Sequence, residues 1–371
     1  MVKDGAVLAR DVLVGRPDGM PLLRGGARLT PAYRARLMQA GIRAVYVADE
    51  YGDGIEPDPL VTPETRLAAT RAVSAAFELT SKAMASKQRL APATIRQLQE
   101  TVKRILADVA SSGGASAALV DLAVADAYIF QHSIDVTALG LLIGQRLLSE
   151  LGWVDYRGTR RFDRLEERLH MLGLGLLLHD VGMLALPNEA MHRVGPLTEE
   201  EWKLVRAHPR TGVELLGSDE FSPIVKAIVL RHHERWDGSG YPDGKRGGEV
   251  HQFARIAAVA DVYDAITSER PHADGRPAHV GVRAILDGSG TLFDPEVVAV
   301  FARVVAPFPP GVELTLADGR KAVVVSVPEQ ALDRPRVRVI DPASEPYELA
   351  LIDDPGLEIQ GWEPSSTAAA A

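Results

Sequence analysis

Residues 232–244 read HHERWDGSGYPDG, and this stretch says more about the chain than any other. Two adjacent histidines, His232 and His233, precede an acidic residue and a tight turn rich in glycine and proline. Neutral imidazole is the most common metal ligand in proteins, so a neighbouring pair can offer two nitrogens to one centre. Histidine pairs also occur by chance, and the case for a metal site therefore depends on the residues upstream and downstream.

Further imidazole and carboxylate groups follow or interrupt apolar segments with helical character. His179 and Asp180 end the run LGLGLLLHDVGM, where a carboxylate is costly unless it is paired or bound to a cation. Asp261 lies in ARIAAVADVYDAITSERP, His132 in YIFQHSIDV and His208 in RAHPRTG. A mixed imidazole and carboxylate set suits Fe, Mn, Zn or Ni better than Ca or Mg. The chain contains no cysteine, which excludes a thiolate site.

These residues, in this order and with the turn Gly240-Tyr241-Pro242, resemble the HD-GYP family of bacterial metal-dependent phosphodiesterases. The family belongs to the HD phosphohydrolase superfamily and hydrolyses the second messenger cyclic di-GMP. The resemblance covers residues 119–306 and includes the phrases GPLTEEEW, AHPRTGVELL, DGSGYP, DVYDAITSERP and FDPEVVAVF. It implies a mainly α fold with an HD-type helical bundle as the catalytic domain. It also implies hydrolysis of cyclic di-GMP to linear pGpG, GMP or both.

The resemblance implies a centre of two divalent metal ions, Fe or Mn with Zn and Ni as alternatives. Seven residues would be metal ligands: His132, His179, Asp180, His208, His232, His233 and Asp261. Asp180 would bridge the two ions and form the catalytic pair with His179. His179 and Asp261 would complete the shell of the first ion, with His132 on the same side. The remaining three histidines would hold the second ion. Asp264 lies one turn after Asp261, where a carboxylate could orient a ligating imidazole.

The resemblance also assigns five residues to substrate binding: Gly240, Tyr241, Pro242, Arg270 and Arg193. Glycine permits unusual backbone angles and proline stiffens the loop, so this turn would shape the pocket wall beside the substrate. The alternative is that the turn is only a structured loop. Arg270 could contact phosphate or guanine, since a guanidinium fork suits both acceptors. Arg193 stands where the family usually has lysine, so the charge is retained.

Some positions depart from the family pattern. Met183 replaces a lysine expected three residues after the aspartate, and His272-Ala273 replaces an aromatic and then a basic residue. Losing one preorganised electrostatic donor typically costs about 2.7–4 kcal/mol of transition-state stabilisation. The alternatives are therefore a catalytically weak cyclic di-GMP-binding or protein-interaction module, or a hydrolase of another cyclic dinucleotide. Tyr128 occupies the position of a glutamate that binds a third ion in some members, so we predict two ions.

The length of 371 residues is enough for two or three domains. We predict, in order, a small α/β N-terminal module (1–51), a linker with two amphipathic helices (52–114), the HD-GYP domain (115–306), a small β module (307–363) and a disordered tail (364–371). The first module would dock a signalling partner, or serve as a packing and dimerisation element. The two helices would form a stalk or homodimer surface, or pack against the catalytic domain. Thr30-Pro31 predicts a helix start, and Asp318-Gly319 predicts a hairpin within a barrel-like module.

Charge and hydropathy restrict the partners. A net charge of −9 argues against a general DNA- or RNA-binding surface, which would be basic. Apolar runs are far shorter than the roughly 20 residues that a bilayer span needs, and no signal-peptide pattern is found at the start. We therefore expect a cytoplasmic protein without a membrane span. The polar insertion 152–164 carries Arg157, Arg160 and Arg161, and would be a solvated loop or a substrate-facing lid.

Overall fold

The computed structural model describes residues 5–12, 21–39, 45, 47–49, 51–55, 59–86, 91–112, 128–187, 198–217, 221–268, 275–341 and 344–362. In these ranges the α-helices are, in chain order, α1 (Pro31–Gln39), α2 (Pro63–Ser86), α3 (Pro92–Ser111), α4 (Tyr128–Leu151), α5 (Leu165–Leu177), α6 (Glu199–Leu216), α7 (Pro223–Arg231), α8 (Gln252–Thr267), α9 (Ala278–Asp287) and α10 (Pro295–Phe301). The strands are β1 (Val7–Leu8), β2 (Val47–Ala48), β3 (Trp153–Val154), β4 (Arg160–Arg161), β5 (Glu313–Thr315), β6 (Lys321–Ser326), β7 (Arg336–Ile340) and β8 (Tyr347–Ala350). The mainly α fold with a small strand-rich C-terminal part is therefore confirmed.

The chain divides into two compact units. One contains α2 to α10 with the hairpin β3–β4, and the other contains α1 with β1, β2 and β5 to β8. Within the described ranges, no helix combines the length and apolarity needed to cross a bilayer. The finer domain boundaries stay a prediction.

Helix α8 lies at the centre of the helical unit. Its side chains are buried on every face, including Phe253, Ile256 and Val259. A helix that is apolar all round belongs in the interior of a bundle. Its Asp261 is consequently buried with it, at 7% exposure. This predicted ligand is thus in the core of the helical unit.

Helices α4 and α5 pack closely through small residues. A Cβ on Gly140 or Gly144 of α4 would lie 2.5 or 2.3 Å from the side chain of Leu176 or Leu172 on α5. Glycine at these positions therefore lets the two helices approach closely without displacing the buried leucines. Because the polypeptide doubles back between them, the start of α4 lies beside the end of α5.

The insertion 152–164 forms the antiparallel hairpin β3–β4, with Trp153 paired to Arg161. It directly follows α4, whose 19-residue path from His132 to Leu151 spans about 28 Å at the α-helical rise. Tyr156 at its tip is 89% exposed. The hairpin is thus a solvated element at the far end of α4 from His132. Of the two alternatives for the insertion, this position favours the solvated loop over the substrate-facing lid.

Helices α2 and α3 are separated near Pro92, as predicted, and they pack within the helical unit. The apolar stripe of α3, with Leu98 and Ile105, is fully buried. Its Val102 lies against Gly173 of α5, where an added Cβ would approach to 2.5 Å. Of the alternatives for these helices, the structure favours packing against the helical domain over an exposed stalk.

The other unit combines the N-terminal strands with a C-terminal sheet. Thr30 caps α1 as predicted, because its hydroxyl accepts from the Tyr33 N–H at 3.2 Å. Strands β5, β6, β7 and β8 form an antiparallel sheet in that order, and Gly319 adopts φ +90° in the predicted turn. No pairing joins β5 to β8 in the described residues, so the sheet is an open meander rather than the expected barrel. Arg338 of β7 donates to the carbonyls of Tyr51 and Asp53.

Candidate metal centre

The structure brings all seven predicted ligand residues together inside the helical unit. The ligand atoms of six of them, all except Asp261, form two groups that could each hold a metal ion, and the atoms of a group lie within 4.8 Å of one another. The groups are His132–His179–Asp180 and Asp180–His208–His232–His233. Asp180 is common to both groups. Most of these side chains are almost completely buried, which excludes water as their main partner.

Asp180 lies between the two groups with one carboxylate oxygen toward each. Its Oδ1 is 3.1 Å from His208 Nε2 and 3.6 Å from His232 Nε2. Its Oδ2 is 3.5 Å from His179 Nε2 and 3.7 Å from His132 Nε2. Helix α5 has just ended at this point, and Asp180 begins the short 3-10 helix Val181–Ala185. The carboxylate is therefore placed to serve both groups at once.

Asp261 reaches the same cluster from α8. Its Oδ1 is 3.3 Å from His132 Nε2, and its Oδ2 is 3.6 Å from His233 Nδ1. A second buried carboxylate thus spans the two groups. Among the described residues, no lysine or arginine pairs with either carboxylate, and their neighbours in the cluster are histidines. Two buried carboxylates in such surroundings call for positive charge.

Backbone carbonyls orient three of the imidazoles. His179 Nδ1 donates to Leu176 O at 2.7 Å, and His232 Nδ1 donates to Val229 O at 3.0 Å. Both acceptors belong to the last turn of a helix, where carbonyls lack the N–H donor four residues later, although Leu176 O also accepts from the His179 N–H at 3.3 Å. His208 Nδ1 donates to Val205 O at 2.6 Å. Because a carbonyl can only accept, these contacts put the proton on Nδ1 and leave the lone pair on Nε2.

A carboxylate orients the fourth imidazole. His132 Nδ1 is 2.6 Å from Asp264 Oδ2, and Asp264 Oδ1 accepts from the Ser268 hydroxyl at 2.7 Å. This pairing agrees with the hypothesis drawn from the spacing of Asp264. An imidazole held through Nδ1 by a carboxylate presents Nε2 as a strongly basic ligand, which is the usual arrangement around metal-binding histidines.

The Nε2 atoms of these imidazoles face each other in pairs. His132 and His179 are 3.3 Å apart through Nε2, and His208 and His232 are 3.2 Å apart. With the proton on each Nδ1, two lone pairs point at one another, which is repulsive unless a cation lies within reach. Burial lowers the pKa of His179 to about 4, so between His132 and His179 a proton is not that cation at neutral pH. The donor set therefore fits metal ions.

The predicted Gly240-Tyr241-Pro242 turn lies against His233. The Tyr241 ring stacks on the imidazole with 4.7 Å between centroids, and the Tyr241 N–H donates to His233 O at 3.2 Å. A Cβ on Gly240 would lie 2.4 Å from both Arg235 N and His233 O. Glycine is thus required by the close approach of two backbone segments. The turn forms a wall beside the cluster, and burial raises the pKa of the Tyr241 phenol, which keeps it protonated.

Glu234 anchors this turn, a role that the sequence analysis missed. Its buried carboxylate accepts from the backbone N–H groups of Asp243 and Lys245, at 2.8 and 3.0 Å. From α6, Arg210 donates to Asp243 Oδ1 at 2.6 Å. An acidic residue directly after two predicted ligands was the available signal, but nothing local indicates which backbone groups it would meet.

A pair of glycines brings Asp180 to α6. A Cβ on Gly182 would lie 1.9 Å from His208 O and 2.7 Å from Gly212 N. The 3-10 helix that follows Asp180 therefore rests directly on the α6 backbone beside His208. Sequence reasoning also missed this contact, although glycine within HDVGM was its signal.

The charges of the cluster are strongly interdependent. Burial disfavours the ionised form of Asp180, but the neighbouring His179, His208 and His232 outweigh it and hold its pKa well below the ordinary value. The pKa of Asp261 is likewise lowered, because its contact with His132 outweighs burial. Both carboxylates are therefore ionised and available as ligands at neutral pH.

Several predicted positions fall elsewhere. Arg193, Arg270 and Ala273 lie outside the described residues. Met183 is half-buried in the 3-10 helix, where its N–H donates to Asp180 O at 2.9 Å. Its thioether offers no positive charge beside Asp180, as the sequence departure implied.

Comparison with known proteins supports the resemblance. Residues 149–297 match the HD domain family. A cyclic di-GMP phosphodiesterase of Pseudomonas aeruginosa is 36% identical over 241 residues, which cover 65% of this chain and 54% of that protein. A 3'3'-cGAMP-specific phosphodiesterase of Vibrio cholerae is 36% identical over 123 residues, which cover 33% of this chain and 24% of that protein.

One solved structure is also similar. An HDG"Y"P protein from Bdellovibrio bacteriovorus matches over 80% of this chain and 94% of its own, at 16% identity and a TM-score of 0.45. The chain spans little more than half the length of the Pseudomonas relative. The family match shows that residues 149–297 carry an HD domain, and the chain is similar in sequence to the cyclic dinucleotide phosphodiesterases named above.

Proposed function

We propose that this protein is a metal-dependent phosphodiesterase that hydrolyses cyclic di-GMP to linear pGpG, GMP or both. The observation that carries the proposal is the position of Asp180, with one carboxylate oxygen toward each of two imidazole groups. The names of the relatives point to cyclic dinucleotides as the substrate class. Hydrolysis of a phosphodiester needs both an activated nucleophile and neutralisation of phosphoryl charge, and a bridged pair of ions can supply both.

The ligand set favours two divalent ions. His132, His179 and Asp261 would hold the first together with Asp180. His208, His232 and His233 would hold the second, with Asp180 again. Nitrogen and oxygen donors without sulfur suit Fe or Mn, with Zn and Ni as alternatives. When bound, such ions supply a water-derived nucleophile at neutral pH and neutralise charge on the phosphoryl oxygens.

The surrounding residues position these groups and the substrate. Asp264 and the helix-terminal carbonyls hold the imidazoles with Nε2 toward the centre. The stacked Tyr241 covers His233 and would limit where a nucleotide can lie. Gly240 and Pro242 would complete this wall. Arg193 and Arg270 would contact phosphate or guanine, which follows from their charge alone.

The test of two ions is a metal titration with product analysis. Protein freed of metal with a chelator should regain hydrolysis of cyclic di-GMP on addition of Mn²⁺ or Fe²⁺, with full activity at two equivalents per chain. Mg²⁺ is the control, since it prefers all-oxygen shells and should not restore activity at the same ratio. A requirement for three equivalents would contradict the binuclear centre.

A second candidate is a cyclic di-GMP-binding module with little turnover. Met183 favours it, because no cation stands at this position on the 3-10 helix beside Asp180. The same titration separates the two candidates. Two bound ions and bound cyclic di-GMP without product would support the module. Faster hydrolysis of 3'3'-cGAMP than of cyclic di-GMP would instead support the other cyclic dinucleotide as substrate.

Metal affinity is expected to fall as the pH is lowered, because at low pH an ion must displace a proton from His208. Burial lowers the pKa of His208, but its hydrogen bond to Asp180 and the charge of that carboxylate raise it above the ordinary 6.5. Burial chiefly lowers the pKa of His179 and His233, which are thus neutral without metal. Affinity should therefore rise with pH and level off above the pKa of His208.

Calorimetric titration from about pH 6 to about pH 8, in two buffers of different ionisation enthalpy, checks this expectation. About one proton per chain should be released at the acidic end and progressively fewer above it. An affinity that stays constant across this interval would contradict the assignment of the exchanging proton to His208.

Location and partners also remain proposals. We propose a cytoplasmic protein whose N-terminal module, residues 1–51, docks a signalling partner or a second copy of the chain. Gel filtration with and without this module would test the homodimer.

A further inference from the structure

His208 is held differently from the two other imidazoles that use backbone carbonyls. His179 and His232 take carbonyls from the last turns of α5 and α7. His208 lies in the middle of α6, which continues to Leu216. In a helix interior, each carbonyl normally accepts from the N–H four residues later. A side chain that bonds such a carbonyl must share it with the backbone N–H, as His170 Nδ1 does with Glu166 O at 2.9 Å.

Residue 209 lacks the backbone N–H that would otherwise compete with His208 for a carbonyl. The helical donor to Val205 O would be the N–H of residue 209, but this residue is Pro209, which has none. The Val205 carbonyl instead accepts from His208 Nδ1 at 2.6 Å. The same imidazole then directs Nε2 toward Asp180 Oδ1 at 3.1 Å. The Val205 carbonyl thus lacks its helical donor and instead fixes the orientation of the His208 ring.

We propose that Pro209 is a positioning residue that frees the Val205 carbonyl to hold His208 Nδ1–H and so presents Nε2 as a metal ligand. This inference rests on the metal-binding function proposed above. It gives a reason for a proline in a helix interior, where proline otherwise weakens the helix. Helix α6 cannot end at His208 to free a carbonyl, because Gly212 continues it against Gly182.

The test is Pro209→Ala, which restores the N–H and removes the ring. The new N–H should capture the Val205 carbonyl, and His208 should lose its fixed tautomer. We expect affinity for Mn²⁺ to fall about 10- to 100-fold, the usual effect of losing the hydrogen-bond partner of a ligand. Thermal stability without metal should stay the same or rise, since alanine favours a helix. Nitrogen-15 NMR of the metal-free protein should show His208 changing from one tautomer to a mixture.

Two further variants separate the carbonyl from the ring. Lactic acid at position 209 has the side chain of alanine but no N–H, so it should keep both the tautomer and the affinity of the natural protein. Pro223→Ala is the matched control, because a proline in the first turn of α7 frees no helical carbonyl. It should leave the affinity unchanged.

The outcomes distinguish this inference from the proposed function. If Pro209→Ala keeps the Nδ1-protonated tautomer, or if lactic acid weakens binding as much as alanine, the inference is overturned. Failure of the natural protein to bind Mn²⁺ would count against the proposed function, whereas the tautomer measured without metal still decides the role of Pro209.

Discussion

Replacing Asp180 by asparagine is expected to abolish hydrolysis of cyclic di-GMP and to leave at most one bound ion per chain. Each carboxylate oxygen faces a different imidazole group, so the amide NH₂ must face one of them. There it would donate to an Nε2 lone pair that a metal ion needs. We expect the rate of hydrolysis to fall by more than about 100-fold, which exceeds the effect of removing a hydrogen-bond partner of a ligand. Metal analysis and product formation measure the two effects.

Two variants calibrate this result. Asp264→Asn removes the charge behind His132 but no proposed ligand, so activity should fall by about 10- to 100-fold with both ions retained. Asp287→Asn changes an exposed aspartate at the end of α9 and should alter neither quantity. If Asp180→Asn kept two ions and activity within about tenfold of the natural protein, the bridging role would be wrong.

The ligand cluster could be predicted from the sequence because its chemistry conflicts with its surroundings. Asp180 and Asp261 interrupt apolar segments, and a buried carboxylate requires a partner wherever the chain folds. His132 and His179 lie beside these carboxylates because α4 and α5 are antiparallel, which brings the start of α4 next to the end of α5. Periodicity alone did not bring these segments together, and the resemblance supplied that step.

The supporting contacts could not be predicted, because they join side chains to backbone groups distant in sequence or topology. Nothing near Glu234 specifies that it accepts from Lys245, and nothing near Gly182 specifies His208 as its neighbour. Such contacts depend on the exact path of the backbone after packing. The insertion shows the same limit, since its sequence left open a solvated loop or a lid, and only the length of α4 places it at the far end of that helix from His132.

The β-rich parts show a different limit. The alternating runs near both ends predicted strands, yet β1 and β2 are only two residues long in the described part. The predicted barrel is an open sheet in the order β5 to β8. Alternation reports which face of a strand is buried, but not whether the first and last strands pair.

Among the proposed variants, Gly182→Ala should have the second-largest effect on activity and metal binding, although residue 182 is not a proposed ligand. The added methyl would lie 1.9 Å from His208 O and 2.7 Å from Gly212 N. Both atoms are backbone, so no side chain can turn away, and the 3-10 helix must move off α6. Asp180 precedes this helix and His208 lies on α6, so the shift separates two proposed ligands of one ion. A misplacement of about 1 Å can cost about 100-fold in rate.

Metal stoichiometry, activity and the free energy of unfolding in urea together test this expectation. Overpacking should lower the unfolding free energy of the metal-free protein by about 1–3 kcal/mol, and the ion held by His208 should be lost. Gly248→Ala is the control, since its Cβ would meet nothing within 4 Å and all three quantities should stay unchanged. Loss of stability with two ions still bound would show that the backbone contact supports the fold but does not set the position of Asp180.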